Sequence, residues 1–225
     1  MNPVSRFAFL LGSPLRIARK LRFRSLDYWD SRYDQGGTSG AGSQGRRAIF
    51  KAQILNRFAA ANNVSRVTEF GCGDGTPLKL AAYPSYIGLD VSPSAVRMCM
   101  RAFSKDETKS FFLYLPECYR DPQGVFRSDL SLSLDVVFHL VEDDVFETYM
   151  SHLFSAAERF VIIYSSNHDA VATGAMHVRH RKFTKWIDNN ARQFRLRQHI
   201  PNQYPFVEGD DTTSFADFYL FERSG

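Results

Sequence analysis

Short apolar runs alternate with stretches of helical periodicity along most of the chain. The runs "SRVTEF" (65–70), "SYIGLDVS" (85–92), "SFFLYL" (110–115), "SDLSLSLDVVF" (128–138), "RFVIIYSSN" (159–167), "FRLRQHI" (194–200) and "SFADFYLFER" (214–223) read as strands. Between them, residues 46–61 place Ile49, Ala52 and Leu55 on one helical stripe flanked by Phe50 and Phe58. Short helices are predicted over 76–83 and 93–103, the latter with Ser92 as N-cap and Pro93 in the first turn. Residues 142–157 and 179–191 complete the helical set. Strands alternating with helices imply an α/β fold with a mostly parallel sheet covered on both faces. Ligands bind such sheets at the carboxyl ends of strands, here Phe70–Gly75, Asp90, Leu134–His139 and Ser165–Asn167.

At 225 residues, with 44% hydrophobic and 14% aromatic positions, the chain holds one well-cored domain. Charge is uneven. Residues 1–24 carry six basic and no acidic side chains, so the net positive charge belongs to an N-terminal arm, taken as residues 1–26. A domain-wide nucleic-acid footprint is therefore not indicated. The apolar run in the arm is too short to span a bilayer. Two readings of it stay open: a surface segment, or a basic amphipathic stretch resting on an anionic membrane through residues 1–24. Three scattered cysteines, Cys72, Cys99 and Cys118, suit free thiols in a reducing, cytoplasmic setting rather than a disulfide framework.

Two glycine clusters compete for a ligand. "QGGTSGAGSQGRR" (35–47) approaches a phosphate-loop spacing, but Arg46 and Arg47 stand where Lys and a hydroxyl are needed, and no buried strand feeds it. It reads instead as a lid over residues 27–47, with Tyr28, Trp29 and Tyr33 beside it. The second cluster, Gly71, Gly73 and Gly75, directly follows an apolar strand. Its G-x-G-x-G spacing differs from the G-x-G-x-x-G of dinucleotide enzymes. Asp90 ends the next strand, where a carboxylate can hold ribose hydroxyls.

The stretch "VTEFGCGDG" followed by "YIGLDVS" resembles motifs I and II of the class I S-adenosylmethionine-dependent methyltransferases. "DLSLSLDVVFHLVED" is similar to the fourth-strand segment of that superfamily, and "YWDSRY" resembles the start of its small-molecule members. The likeness runs over residues 27–223 in the right order. It implies a Rossmann-like seven-stranded sheet whose last strand is antiparallel, and S-adenosylmethionine as cofactor. It also implies that Glu69, Gly71, Cys72, Gly73 and Gly75 meet the methionine part, Asp90 the ribose and Val91 the adenine, with the backbone near Ser133 and Leu134 facing the amino acid moiety.

A hydroxyl acceptor benefits from a base. His139, on the carboxyl side of the fourth strand, is the first candidate and His177 the second. The "HVRHR" segment adds Arg179, His180 and Arg181, which with Tyr33 are candidates for binding an acceptor, an anionic one if the guanidinium groups point inward. No metal site is predicted: Glu142, Asp143 and Asp144 open a helix, where acids suit the helix dipole. The expected reaction is methyl transfer to a small polar molecule, a sugar or an anionic metabolite, with no nucleic-acid partner. The alternatives are a protein or nucleic-acid methyltransferase and a non-catalytic cofactor-binding module. "SLDVV" lacks the Pro-Pro-aromatic signature of base-modifying enzymes.

Overall fold

The computed structural model describes residues 23–170 and 175–224. The basic arm is thus almost wholly outside the described residues. The body begins slightly earlier than the sequence suggests, because helix α1 spans Ser25–Asp34 and Ser25 is already buried. Helix α2 follows at Gly45–Ala61, then strands β1 (Arg66–Phe70) and β2 (Ser85–Asp90), helix α3 (Pro93–Ala102), and strands β3 (Lys109–Leu113) and β4 (Ser128–Leu134). Helix α4 (Asp143–Ser155), β5 (Ala157–Ser165), α5 (Phe183–Asn190), β6 (Phe194–Ile200) and β7 (Asp217–Arg223) close the chain.

The seven strands form one sheet in the order β3-β2-β1-β4-β5-β7-β6. β1 pairs in parallel with β2 and with β4, β4 with β5, and β2 with β3. β7 inserts antiparallel between β5 and β6, so the final strand alone runs against the others. The order reverses between β1 and β4, which opens a crevice at their carboxyl ends.

Two hydrophobic clusters cover the two sheet faces. One packs α2 and α3 against Val67, Leu130, Leu132 and Tyr164, and the other packs α4 and α5 against Phe70, Val161 and Ile163. Both faces are buried: β5 is a nearly continuous apolar run, whereas β4 alternates leucine with small serines, of which Ser131 and Ser133 are fully buried.

Three sequence expectations shift. The α2 stripe is rotated: Ala48, Lys51, Leu55 and Phe58 face inward, whereas Ile49 is 51% exposed. The helix expected over 76–83 shrinks to a single 3₁₀ turn, Pro77–Leu80, since Tyr83 precedes Pro84 and is steered out of the helical region. The helix expected from 179 begins only at Phe183, because the backbone N–H groups of Arg179 and Lys182 are spent on the Phe138 carbonyl and the Asp169 carboxylate. Ser92 does cap α3, accepting from the Ala95 N–H at 3.3 Å.

Leu132 sits fully buried at the centre of β4, between β1 and β5. Leu132→Ala is expected to cost about 2–5 kcal/mol, read as a lower urea midpoint with an unchanged m-value.

Candidate cofactor and acceptor site

A cavity opens at the crevice, lined by the turn after β1 (Gly71, Cys72, Gly73), the end of β2 (Asp90, Val91), the end of β4 (Leu134, Asp135, Val136, His139) and the α1 segment (Ser25, Leu26, Trp29, Tyr33). The turn needs its glycines for two reasons. Gly71 and Gly73 have φ of +80° and +59°, a region L side chains rarely adopt. A Cβ on Gly71 would lie 2.5 Å from Val136 Cγ2, and one on Gly73 would strike Ser39 Oγ and approach the Tyr33 hydroxyl to 2.9 Å.

Asp90 lies behind the turn and holds it. Its Oδ2 accepts the Gly73 N–H at 2.8 Å and its Oδ1 the Ser92 N–H at 2.9 Å. Burial pushes Asp90 up to about 6 despite these bonds. Glu69, on the neighbouring strand β1, accepts from the Tyr86 hydroxyl at 2.7 Å, and burial raises it to about 7. Tyr149 bridges the floor, its hydroxyl 2.9 Å from the Phe70 carbonyl and 2.7 Å from Ser133 Oγ.

The glycine-rich segment of 36–44 lies over the turn. The Ser39 N–H donates to Asp74 Oδ2 and the Asp74 N–H donates to Ser39 Oγ, both at 3.0 Å, while Tyr33 shares a 2.9 Å bond with Ser39. Burial pushes Asp74 up, but the Ser39 and Thr76 donors bring it below the usual carboxylate range. At the other end, α1 is anchored by Ser25, whose N–H and hydroxyl both bond the Glu142 carboxylate.

His139 stands on the 3₁₀ turn Val137–His139. Its Nδ1 lies 2.8 Å from the His177 carbonyl, which can only accept, so Nδ1 carries the hydrogen and Nε2 keeps a lone pair. Burial holds its pKa down at about 4, although the His177 carbonyl bond opposes this. Trp29 meets its ring edge-on at 4.7 Å, and His177 stacks on the far side at 5.3 Å.

The sequence candidates therefore separate. Glu69, Gly71, Cys72, Gly73, Asp90, Val91, Leu134, Tyr33 and His139 all line the cavity. Gly75 and Ser133 do not: Gly75 backs onto Cys99, and Ser133 supports Tyr149. His177 sits behind His139, stacked on Tyr28 at 4.8 Å. Arg179, His180 and Arg181 are also absent from the wall. Arg179 and Arg181 grip Asp143, at 3.1 and 2.6 Å, and the Val141 carbonyl, at 2.7 and 2.9 Å. His180 bonds Ser166 at 2.7 Å. The arginines therefore brace the segment that presents His139. Lys51, Tyr114 and Tyr149 are cavity residues the sequence analysis did not single out. No cluster of three or more His, Cys, Asp or Glu able to hold a metal occurs among the described residues.

Neither the protein-family models nor the curated proteins contain a match to this chain. Solved structures do. The N-methyltransferase NodS from Bradyrhizobium japonicum WM9, in complex with S-adenosyl-L-homocysteine, is 14% identical with a TM-score of 0.68, covering 89% of this chain and 99% of that one. Magnesium protoporphyrin IX methyltransferase (ChlM) from Synechocystis PCC 6803, with bound SAH, is 16% identical with a TM-score of 0.62, covering 88% and 97%. The methyltransferase domain of bacterial CtHen1-C is 17% identical with a TM-score of 0.61, covering 83% and 100%. The chain has the Rossmann-like methyltransferase fold.

The raised Glu69 gives a pH signature. A carboxyl whose folded pKa of about 7 exceeds its ordinary 4.5 stabilises the fold fully below about pH 4.5, and that contribution is lost as pH rises through 7. Glu69→Gln should therefore remove part of the fall in wild-type stability between pH 4.5 and 7, read as a flatter difference curve in denaturant titrations.

Proposed function

We propose that the chain transfers a methyl group from S-adenosylmethionine to a hydroxyl of a small, uncharged polar acceptor, with His139 as general base. One observation carries this reading: His139 lines the cavity that the glycine turn and Asp90 also line, and its Nδ1–H is spent on the His177 carbonyl, so Nε2 is the ring nitrogen that keeps a lone pair. The cofactor suits these residues. The turn at 71–73 admits close backbone approach, Asp90 and Val91 stand where ribose and adenine contacts belong in this fold, and the overlying Tyr33 and Trp29 exclude water. When bound, S-adenosylmethionine supplies a methyl group activated by the positive charge on sulfur.

The protein's share is positioning and proton removal. His139 Nε2 takes the acceptor's proton as its oxygen becomes the nucleophile. The nearby Asp135 charge favours the imidazolium so formed. An uncharged acceptor is preferred over an anionic one because Lys51, the lysine of the cavity wall, is paired with Asp135, Arg179 and Arg181 are paired with Asp143, and Arg32 is held on the Thr38 carbonyl and the Trp29 ring. The neighbours' names span a porphyrin, an N-methylation and small RNA, so the fold does not choose the acceptor.

The test is transfer of label from [methyl-¹⁴C]S-adenosylmethionine to a panel of uncharged polyols, phosphorylated and carboxylated counterparts, and short RNA. Label on an uncharged hydroxyl compound is expected; label on RNA alone would contradict the reading. His139→Ala should lower kcat about 10²–10⁴-fold, with cofactor affinity within threefold of wild type. At saturating cofactor, the acid limb of wild-type kcat/KM should fall near pH 4, where His139 titrates, not near 6.5.

A further inference from the structure

Lys51 is a charged side chain on the inward stripe of α2, only 2% exposed. A lysine so buried is costly unless a partner compensates it. Its ammonium lies 2.5 Å from Asp135 Oδ2 and 5.3 Å from the centre of the Tyr164 ring. Tyr164 is itself fixed by Asn202 Nδ2, which donates to its hydroxyl at 2.7 Å.

Asp135 is unusual in its own right. It leaves β4 with φ +59°, a left-handed conformation for a residue bearing a side chain. Its N–H is tied to the Tyr164 carbonyl at 3.0 Å. Both Lys51 and Asp135 line the cavity, and Asp135 Oδ1 has no hydrogen-bond partner among the described residues. The carboxylate also presses on the overlying loop: a Cβ on Gly42 would lie 3.1 Å from Asp135 Oδ2. Three pieces of the site thus meet at one ion pair. They are α2, the turn leading to His139, and the 3₁₀ turn Ala41–Ser43.

We propose that Lys51 is a positioning residue for methyl transfer: it pins the Asp135 carboxylate so that Oδ1 faces the acceptor and the Ala41–Ser43 turn seats against it. The lysine acts through Asp135 and does not itself hold the cofactor. The side chains then offer the acceptor two hydrogen-bond acceptors, His139 Nε2 and Asp135 Oδ1, which match a compound bearing two hydroxyl donors. The inference rests on the methyl-transfer reading above, and its test includes an arm that does not need turnover.

Lys51→Met, Asp135→Asn and the double variant are compared with wild type. The readouts are the Kd for S-adenosylhomocysteine, kcat and KM with an acceptor the wild type methylates, and amide exchange of residues 40–44 in the unliganded protein. For Lys51→Met the expected result is a Kd within threefold of wild type, a kcat at least thirtyfold lower, and exchange at residues 40–44 at least tenfold faster with β5 unchanged. The double variant should lose no more than Asp135→Asn alone, since both changes break one unit. It also keeps the test alive if the unpaired carboxylate of Lys51→Met prevents folding. A tenfold weaker Kd with unchanged kcat would make Lys51 a direct cofactor ligand and overturn the proposal. Multiplicative losses in the double variant, or wild-type exchange in Lys51→Met, would overturn it too. If the wild type methylates nothing, the methyl-transfer reading fails, while the exchange arm still decides whether Lys51 seats the loop.

Discussion

The bond from the Gly73 N–H to the buried Asp90 carboxylate is the contact on which the site depends. It ties the turn after β1 to the end of β2, beside the crevice where the sheet order reverses between β1 and β4. A carboxylate buried there would be expensive if unpaired. Backbone N–H groups of Gly73 and Ser92 supply the compensation, and the glycines allow the turn to bring one of them close enough. The overlying loop is organised by the same turn, because Ser39 bonds Asp74 and sits where any side chain on Gly73 would be. The glycine turn and the loop over it are thus one packed unit.

A second set of contacts braces the segment around His139 without entering the cavity. Arg179 and Arg181 reach back across the end of β4 to Asp143 and to the carbonyls before α4. The Arg179 N–H adds a 2.8 Å bond to the Phe138 carbonyl, next to His139. The His177 carbonyl then fixes the imidazole tautomer. These residues come from the segment that also carries two histidines, so a stretch rich in catalytic residue types serves here as a brace. Guanidinium groups with several donors in a plane suit that task well.

The sheet is legible in the residues because β5 is a nearly continuous apolar run and β4 alternates leucine with serine, two patterns that suit strands. The glycine turn and Asp90 were legible because their chemistry is local and ordered along the chain. The distant parts were not. Lys51 reads as a solvent-facing position in any hydrophobic pattern. Only the fold reveals that Asp135, 84 residues away, is its partner. The stripe on α2 was misplaced for the same reason, since counting apolar residues selects Ile49 and passes over the buried lysine. Whether Arg179 and Arg181 point inward is not legible locally, because their partner Asp143 lies on a helix 36–38 residues earlier. No helix among the described residues is long and apolar enough to cross a membrane.

The central claim is that the turn at 71–75 and the carboxylate of Asp90 together hold a sulfur-bearing nucleoside. Calorimetric titration of the wild type and of Asp90→Ala with S-adenosylhomocysteine, beside NAD as control, measures this directly. The account predicts saturable binding of the nucleoside by wild type, at least tenfold weaker binding by Asp90→Ala, and no heat from NAD. Binding of NAD alone, or undiminished affinity after removal of the carboxylate, would contradict it.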